Sequence, residues 1–390
     1  MKKNKNKKGY NLAKIKVVGI GGAGNNAVSR MFDYFPRTVD LIAINTDVQD
    51  LNYTKAKKKI RIGKNLTKGL GTGMNPDLGK QAAEENHSEI TEVLKEADMV
   101  FITAGEGGGT GSGASPIVAE IAKELGILTV AVVTKPFGFE GTQRAQIAHE
   151  GITKLREQVH TLITIPNDRI FSLISKDTSL IKAFEAIDEV LKNSVLGITE
   201  LIVAPGIVNV DFADVKAVMN EGGSAIIGVG VATGPERAVK AANLAVNSPL
   251  LEASIDGAKG VLFSISGHRD LKMNEINEVA KLISENVDQS AKIIFGAYYD
   301  RKLNKGQLKV TLIATGFNGS SPNLFNQKTN SVIASEAFSH EGEARGGKQF
   351  QEESLNQELV FEETKKKEKA EKKESEEVWD IPTFLRKKRK

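Results

Sequence analysis

Two glycine-rich segments constrain what this chain can fold into. Gly19-Ile20-Gly21-Gly22-Ala23-Gly24-Asn25-Asn26 follows a short apolar run at 15–20 and opens a helix-like pattern. Gly105-Glu106-Gly107-Gly108-Gly109-Thr110-Gly111-Ser112-Gly113 follows a second apolar run at 99–103 and precedes a helix expected from Pro116, a residue suited to a helix start. Six glycines in nine residues carry a high chain-entropy cost, and a structural turn requires one or two. Strand, glycine loop, helix is the order in which backbone N–H groups and a helix N-terminus receive phosphate. Two such loops on one parallel sheet point to a single polyphosphate held between two helix starts.

Composition narrows the classes. With 390 residues the chain has room for two compact domains and a remainder. The 53 basic and 49 acidic residues leave +4, too little to mark a nucleic-acid binder by bulk charge. Cysteine is absent, which excludes disulfides, thiolate metal sites and a thiol nucleophile. The five histidines are scattered, so no protein metal cage is expected. No apolar run reaches the ~20 residues of a membrane span. The basic segment 2–8 has no apolar stretch behind it, unlike a secretory signal. The expectation is a soluble protein of a reducing compartment.

Short apolar runs at 15–20, 41–45, 99–103, 128–134 and 161–165 alternate with helical patterns at 27–32, 77–96, 117–125 and 143–159. That order predicts an α/β fold, a Rossmann-like parallel sheet with helices on both faces. Leu180, Phe184, Ile187, Leu191, Val195, Ile198 and Ile202 then recur in steps of three and four, one stripe of a long central helix. Asp177, Thr178 and Ser179 offer its N-cap, and Pro205-Gly206 its end. Helices at 237–246 and 273–287 and strands at 261–266, 293–298 and 307–314 form a smaller α+β domain, with a hairpin turn at 304–306 joining the last two strands. The expected organisation is a disordered basic N-terminus (1–11), a nucleotide-binding domain (12–178), the central helix (179–204), the α+β domain (205–317), a disordered linker (318–377) and a terminal peptide (378–390). Sixty residues of such linker would span about 40 Å r.m.s..

Several residues admit two readings from the sequence alone. Gly19, Gly21 and Gly24 fit the dinucleotide fingerprint, and Asp47, 23 residues beyond Gly24, stands where a ribose-binding acid would. A nicotinamide oxidoreductase is therefore an alternative, although it explains only the first loop. Gly342 to Lys348 spells most of a Walker A loop, but Gln349 follows in place of Ser or Thr. Phe184 suits core packing as well as a base stack. Glu140 and Arg144 suit an i,i+4 surface pair, and Asp211 and Asp214 suit helix caps.

The segment 107–113, GGGTGSG, resembles the signature of the tubulin/FtsZ GTPase family. Residues 21–26, 45–47, 69–76, 135–141 (KPFGFEG), 165–169 (IPNDR) and 209–215 (NVDFADV) resemble further loops of its FtsZ branch, in order. The terminal DIPTFLR, Asp380 to Arg386, resembles its partner-binding peptide. The likeness covers about residues 12–317 and the last dozen.

The resemblance implies a GTPase binding GTP/GDP with Mg²⁺. It polymerises head-to-tail into filaments that form the bacterial division ring, in the cytoplasm at midcell. It implies phosphate contacts at Gly21, Gly22, Ala23, Gly24, Asn25 and Asn26 and at Gly107, Gly108, Gly109, Thr110 and Gly111. Glu140 and Arg144 would contact the ribose. Phe184 would stack on the base while Asp188, four residues on, accepts from guanine N1–H and N2–H₂, a donor pair adenine lacks on that edge. Asp211, Asp214 and Asn209 would position water on the next subunit's nucleotide, because carboxylates beside their own triphosphate would repel it. The terminal peptide would recruit FtsA- or ZipA-like tethers and regulators. No nucleic acid and no direct membrane span are implied. A nucleotide-binding scaffold that polymerises but hydrolyses poorly is the remaining alternative. Two residues depart from the family pattern. Glu106 replaces an apolar residue, so its carboxylate must turn from the phosphates or meet Mg²⁺. Met74 replaces a third-loop glycine.

Overall fold

The computed structural model describes residues 13–317, apart from 37, 176, 205, 252, 253 and 301. The expectations for 1–11, 318–377 and the peptide 378–390 lie outside the described residues, as does the helix-ending role of Pro205. In chain order the elements are β1 (Ile15–Ile20), α1 (Gly21–Met31), β2 (Asp40–Asn45), α2 (Val48–Tyr53), β3 (Lys58–Arg61), α3 (Lys64–Thr67), α4 (Pro76–Glu85), α5 (His87–Leu94), β4 (Met99–Gly105), α6 (Gly109–Glu124), β5 (Leu128–Lys135), α7 (Thr142–Gln158), β6 (Thr161–Pro166), α8 (Leu180–Val203), α9 (Phe212–Met219), β7 (Gly223–Thr233), α10 (Arg237–Val246), β8 (Gly260–Gly267), α11 (Met273–Glu285), β9 (Lys292–Tyr299) and β10 (Gln307–Thr315).

The strands follow the order β3-β2-β1-β4-β5-β6-β7-β10-β8-β9. The first six are all parallel. Buried along their whole length, β1 apart from Lys16 and most of β4 read as near-continuous apolar runs rather than alternations. The chain winds outward in both directions from the β1/β4 pair, so the loops after these two strands face one crevice. β7 carries the sheet onward. Its Gly223, Ser224 and Ala225 pair in parallel with β6, and from Ile226 it pairs antiparallel with β10.

Helix α8 lies in the core shared by the parallel strands and part of the C-terminal half. Ile187, Leu191, Val195 and Ile198 of its predicted stripe are buried together with Leu262 and Ile313. Each contributes roughly 1.5–3 kcal/mol by removal from water. Of the three candidate caps, Ser179 is the one used, accepting from Lys182 N at 3.4 Å. Phe184 departs from the stripe: it is 42% exposed.

Three expectations are corrected. Helix α6 starts at Gly109, and Pro116 lies inside it. The glycines are helical because α4 packs directly on them: a Cβ on Gly113 would stand 2.0 Å from the Pro76 carbonyl oxygen. The single helix expected over 77–96 is broken at Asn86, which leaves helical geometry and accepts from Gly63 N–H at 2.9 Å. The turn at 304–306 forms, with Gly306 at φ 84°, but joins no hairpin. β10 runs between β7 and β8, and β9 pairs in parallel with β8 on its other side. β3 and β7 give little sequence signal. β3 buries one residue, Ile60, and β7 carries glycines where α10 lies against it.

Gly113→Ala should lower the urea midpoint, with a loss of about 1–3 kcal/mol despite alanine's better helix propensity. Equilibrium unfolding of the two proteins checks it.

Candidate functional site

The site grows from the adjacent C-terminal ends of β1 and β4. Gly19 pairs with Thr103 and Ile20 with Ala104, so α1 and α6 begin side by side. Gly21 opens α1 at φ 70°, and a Cβ there would lie 3.1 Å from Gly111 N. Gly24 sits one turn in, where a Cβ would meet the Thr103 carbonyl oxygen at 2.3 Å. Helix starts leave their first N–H groups unpaired within the helix, and here two such ends converge.

A cleft of about 350 Å³ opens over them. Gly21, Gly22 and Ala23 line it from the first loop, and Gly108, Gly109, Thr110 and Gly111 from the second. Glu140, Arg144 and Phe184 line it too. Thr110 Oγ1 lies 2.8 Å from Thr46 Oγ1 and 3.2 Å from Thr72 Oγ1, so three hydroxyls meet at its floor. Glu140 Oε2 accepts from Arg144 at 2.7 Å and its Oε1 from Phe137 N–H at 2.9 Å. The i,i+4 pair and the cleft position therefore hold together.

Gly24, Asn25, Asn26, Gly107 and Asp188 do not line the cleft. Gly24 packs on β4. Asn25 is buried, donates to Asp50 at 3.3 Å and leaves its Oδ1 without a partner. Asn26 is exposed. Gly107 turns the loop at φ 96° and donates to Ser112 Oγ at 2.9 Å. Asp188 is held by Arg30 Nε at 2.6 Å. Burial raises its carboxyl to about 6, against the pull of Arg30. It therefore stays ionised at neutral pH.

Sequence reasoning assigned no role to Thr72, Thr134 and Asn167, which line the cleft. Thr72 and Asn167 lie within the segments 69–76 and 165–169, so the signal was present without a residue-level reason. It also missed Phe137, whose ring meets Phe184 edge-on at 5.5 Å and stacks on Phe139 at 4.8 Å.

Asn209, Asp211 and Asp214 lie apart from this cleft. From Phe184 to the end of α8 is about 28 Å at 1.5 Å per residue. Beyond it Val208 bridges Ala297 of β9. Asp211 caps α9, accepting from Ala213 N–H at 3.3 Å, and Asp214 lies in the first turn. Asn209 accepts from Gly206 N–H at 2.7 Å. All three are exposed.

Glu106 turns away from the cleft. Its carboxylate packs on α7, where a Cβ on Gly151 would lie 2.4 Å from Oε2. Among the described residues neither oxygen has a hydrogen-bond partner. Burial raises the carboxyl to about 7, with the Ser112 hydroxyl pulling the other way. Met74 holds φ 65°, a left-handed conformation that costs a non-glycine residue roughly 1–2 kcal/mol. Asp47 is spent as the N-cap of α2, accepting from Gln49 and Asp50 N–H at 2.8 and 3.2 Å. The acid of the dinucleotide alternative is thereby occupied.

Residues 14–175 match the model of the tubulin/FtsZ family GTPase domain, and residues 223–318 that of the FtsZ family C-terminal domain. The chain is 49% identical to FtsZ of M. jannaschii, solved as an empty dimer. That match covers 78% of this chain and 89% of the other, with TM-score 0.76. A mutant of the same FtsZ matches at 50% identity, 78% and 92% coverage and TM-score 0.76. This chain belongs to the FtsZ family. CetZ2 from Haloferax volcanii, solved as a GTPγS-bound protofilament, shares the fold at 24% identity, covering 79% of this chain and 95% of that one, with TM-score 0.67. As an FtsZ-family protein the chain is a tubulin-like GTPase that binds guanine nucleotide.

Glu106 makes stability depend on pH. Its folded carboxyl lies above the ordinary 4.5, at about 7. The neutral group's contribution is complete below 4.5 and is lost as pH rises through about 7. Glu106→Gln should therefore gain on the wild type between pH 5 and 8, by up to about 3 kcal/mol, in melting curves at both pH values.

Arg30→Ala should raise the Asp188 carboxyl above about 6, leaving less carboxylate at pH 7. Carboxyl titration of the two proteins followed by NMR should show that rise.

Proposed function

We propose that the chain holds GTP in the α1/α6 cleft and assembles head-to-tail, each subunit's nucleotide being hydrolysed with groups of the next. The observation that carries this reading is the separation along α8: phosphate-binding loops at one end, exposed carboxylates at the other. The α- and β-phosphates meet the N–H groups of Gly21, Gly22 and Ala23 and of 108–111 that line the cleft, and Thr110 supplies a hydroxyl. Phe184, braced by Phe137, stacks on the base. Asp188, kept ionised by Arg30, selects guanine, and Glu140 and Arg144 face the ribose. Mg²⁺ neutralises phosphate charge when bound. Its ligands would be phosphate oxygens and water.

Hydrolysis requires water held in line with the γ-phosphate. Asp211 and Asp214 on a neighbour orient it through its hydrogens, with Asn209 beside them. Their own chain's phosphates do not repel them because α8 stands between. A contact that joins opposite ends of a subunit does not close on itself, so it propagates a filament. The M. jannaschii dimer and the Haloferax protofilament support that arrangement. The family supports a role in the division ring at midcell, in the cytoplasm. The peptide from Asp380 to Arg386 is then the element that engages FtsA- or ZipA-like tethers and regulators.

Phosphate release from GTP, measured against protein concentration with Mg²⁺, should vanish below a threshold concentration. Turnover linear from zero would place the whole site in one chain. Asp214→Ala should still bind GTP and lose turnover by about 100-fold or more.

A further inference from the structure

Glu106 stands where the phosphate cleft meets the protein interior. Its backbone borders the cleft between Gly105 and Gly108, and its N–H donates to Thr134 O at 2.9 Å. Its carboxylate points the other way, into the seam between α6 and α7, 5% of the residue being exposed. Both oxygens lack hydrogen-bond partners among the described residues, and Oε2 rests against Gly151 of α7, where a Cβ would stand 2.4 Å away.

The surroundings supply little to balance a charge there. From α6 comes the Ser112 hydroxyl, which eases ionisation while its oxygen accepts from Gly107 N–H. On the buried face of α7, Ala148, Gly151 and Leu155 are uncharged. Arg144, a turn earlier, is paired with Glu140. His149, Glu150 and Lys154 occupy exposed positions. β4 carries no charged residue, and β5 ends beside Glu106 with Thr134 and Lys135. An ionised Glu106 is thus a buried anion one residue from the loop that receives phosphates.

We propose that binding of a nucleoside polyphosphate in this cleft is coupled to uptake of a proton by Glu106, so that the chain loses nucleotide affinity as pH rises past neutrality. This rests on the nucleotide reading of the cleft. Phosphate charge disfavours the carboxylate, and by reciprocity the carboxylate disfavours phosphate by the same factor. Asp188, on the base side, acts in the opposite sense, since it must be ionised to bind guanine. Affinity then has an acid limb set by Asp188 and an alkaline limb set by Glu106.

The test is calorimetric titration of the full-length chain with GDP and Mg²⁺, in buffers of different ionisation enthalpy and at pH 6.5 and 8.5. Glu106→Gln and Glu106→Leu serve as comparators. Ionisation of GDP itself contributes equally to all three. The wild type should take up more protons than either variant at pH 7.5 and lose about tenfold more affinity between the two pH values. If neither variant folds, infrared difference spectra of the wild type should show a protonated carboxyl band appearing when GDP is added at pH 7.5. Equal proton uptake and parallel pH profiles, or absence of that band, would overturn the role of Glu106 while leaving the nucleotide site standing. Failure of the wild type to bind GDP at either pH would overturn the nucleotide reading and this coupling with it.

Discussion

Everything in this structure depends on how closely three helix starts approach one another. α1 and α6 meet backbone to backbone at Gly21 and Gly111, and α4 rests on the first turns of α6 at Gly109 and Gly113. Side chains at these points would push the helices apart by ångströms, and the N–H groups they expose would no longer converge. The glycines therefore serve packing and phosphate access together. Gly107 and Gly21 turn the backbone, Gly24, Gly109 and Gly113 permit contact, and Gly108 faces the open cleft.

Around that backbone cradle the side chains set charge. The cleft holds little formal charge of its own: Arg144 and Glu140 cancel as a pair, and Glu106 is turned inward. Attraction for a polyanion falls to oriented N–H groups and helix dipoles, which need no counter-ion of their own. Two further carboxyls around the site are raised by burial, Asp188 to about 6 and Glu106 to about 7. Much of their difference is that between an ordinary aspartate, 3.8, and an ordinary glutamate, 4.5. Burial is opposed by Arg30, at 2.6 Å, in Asp188 and by the Ser112 hydroxyl in Glu106.

The parallel strands were legible because β1, β2, β4, β5 and β6 are buried along most of their length and so are mainly apolar. The long helix was legible from its stripe. Phe184 and Glu140 with Arg144 were each ambiguous as residues, and the family resemblance resolved them towards the cleft they line. Asp47 was equally ambiguous, and its cap hydrogen bonds resolve it towards structure. The strand β7 was invisible because glycine weakens any strand pattern, and α10 requires those glycines. The hairpin reading failed for a different reason. A turn signal at Gly306 specifies a change of direction but not which strand lies alongside, and β8 is inserted between the two strands it joins.

The sequence by itself determined most element types, the two strand–glycine–helix units and the family resemblance, because periodicity and ordered motifs are local properties of the chain. Tertiary structure alone decided that α6 begins seven residues before Pro116, since only contact with α4 shows why those glycines are helical. It decided that Asp188 has Arg30 beside it and that Glu106 faces Gly151 rather than phosphate. Those facts depend on elements far apart in the chain being brought within a few ångströms, and no spacing within one segment encodes such distances.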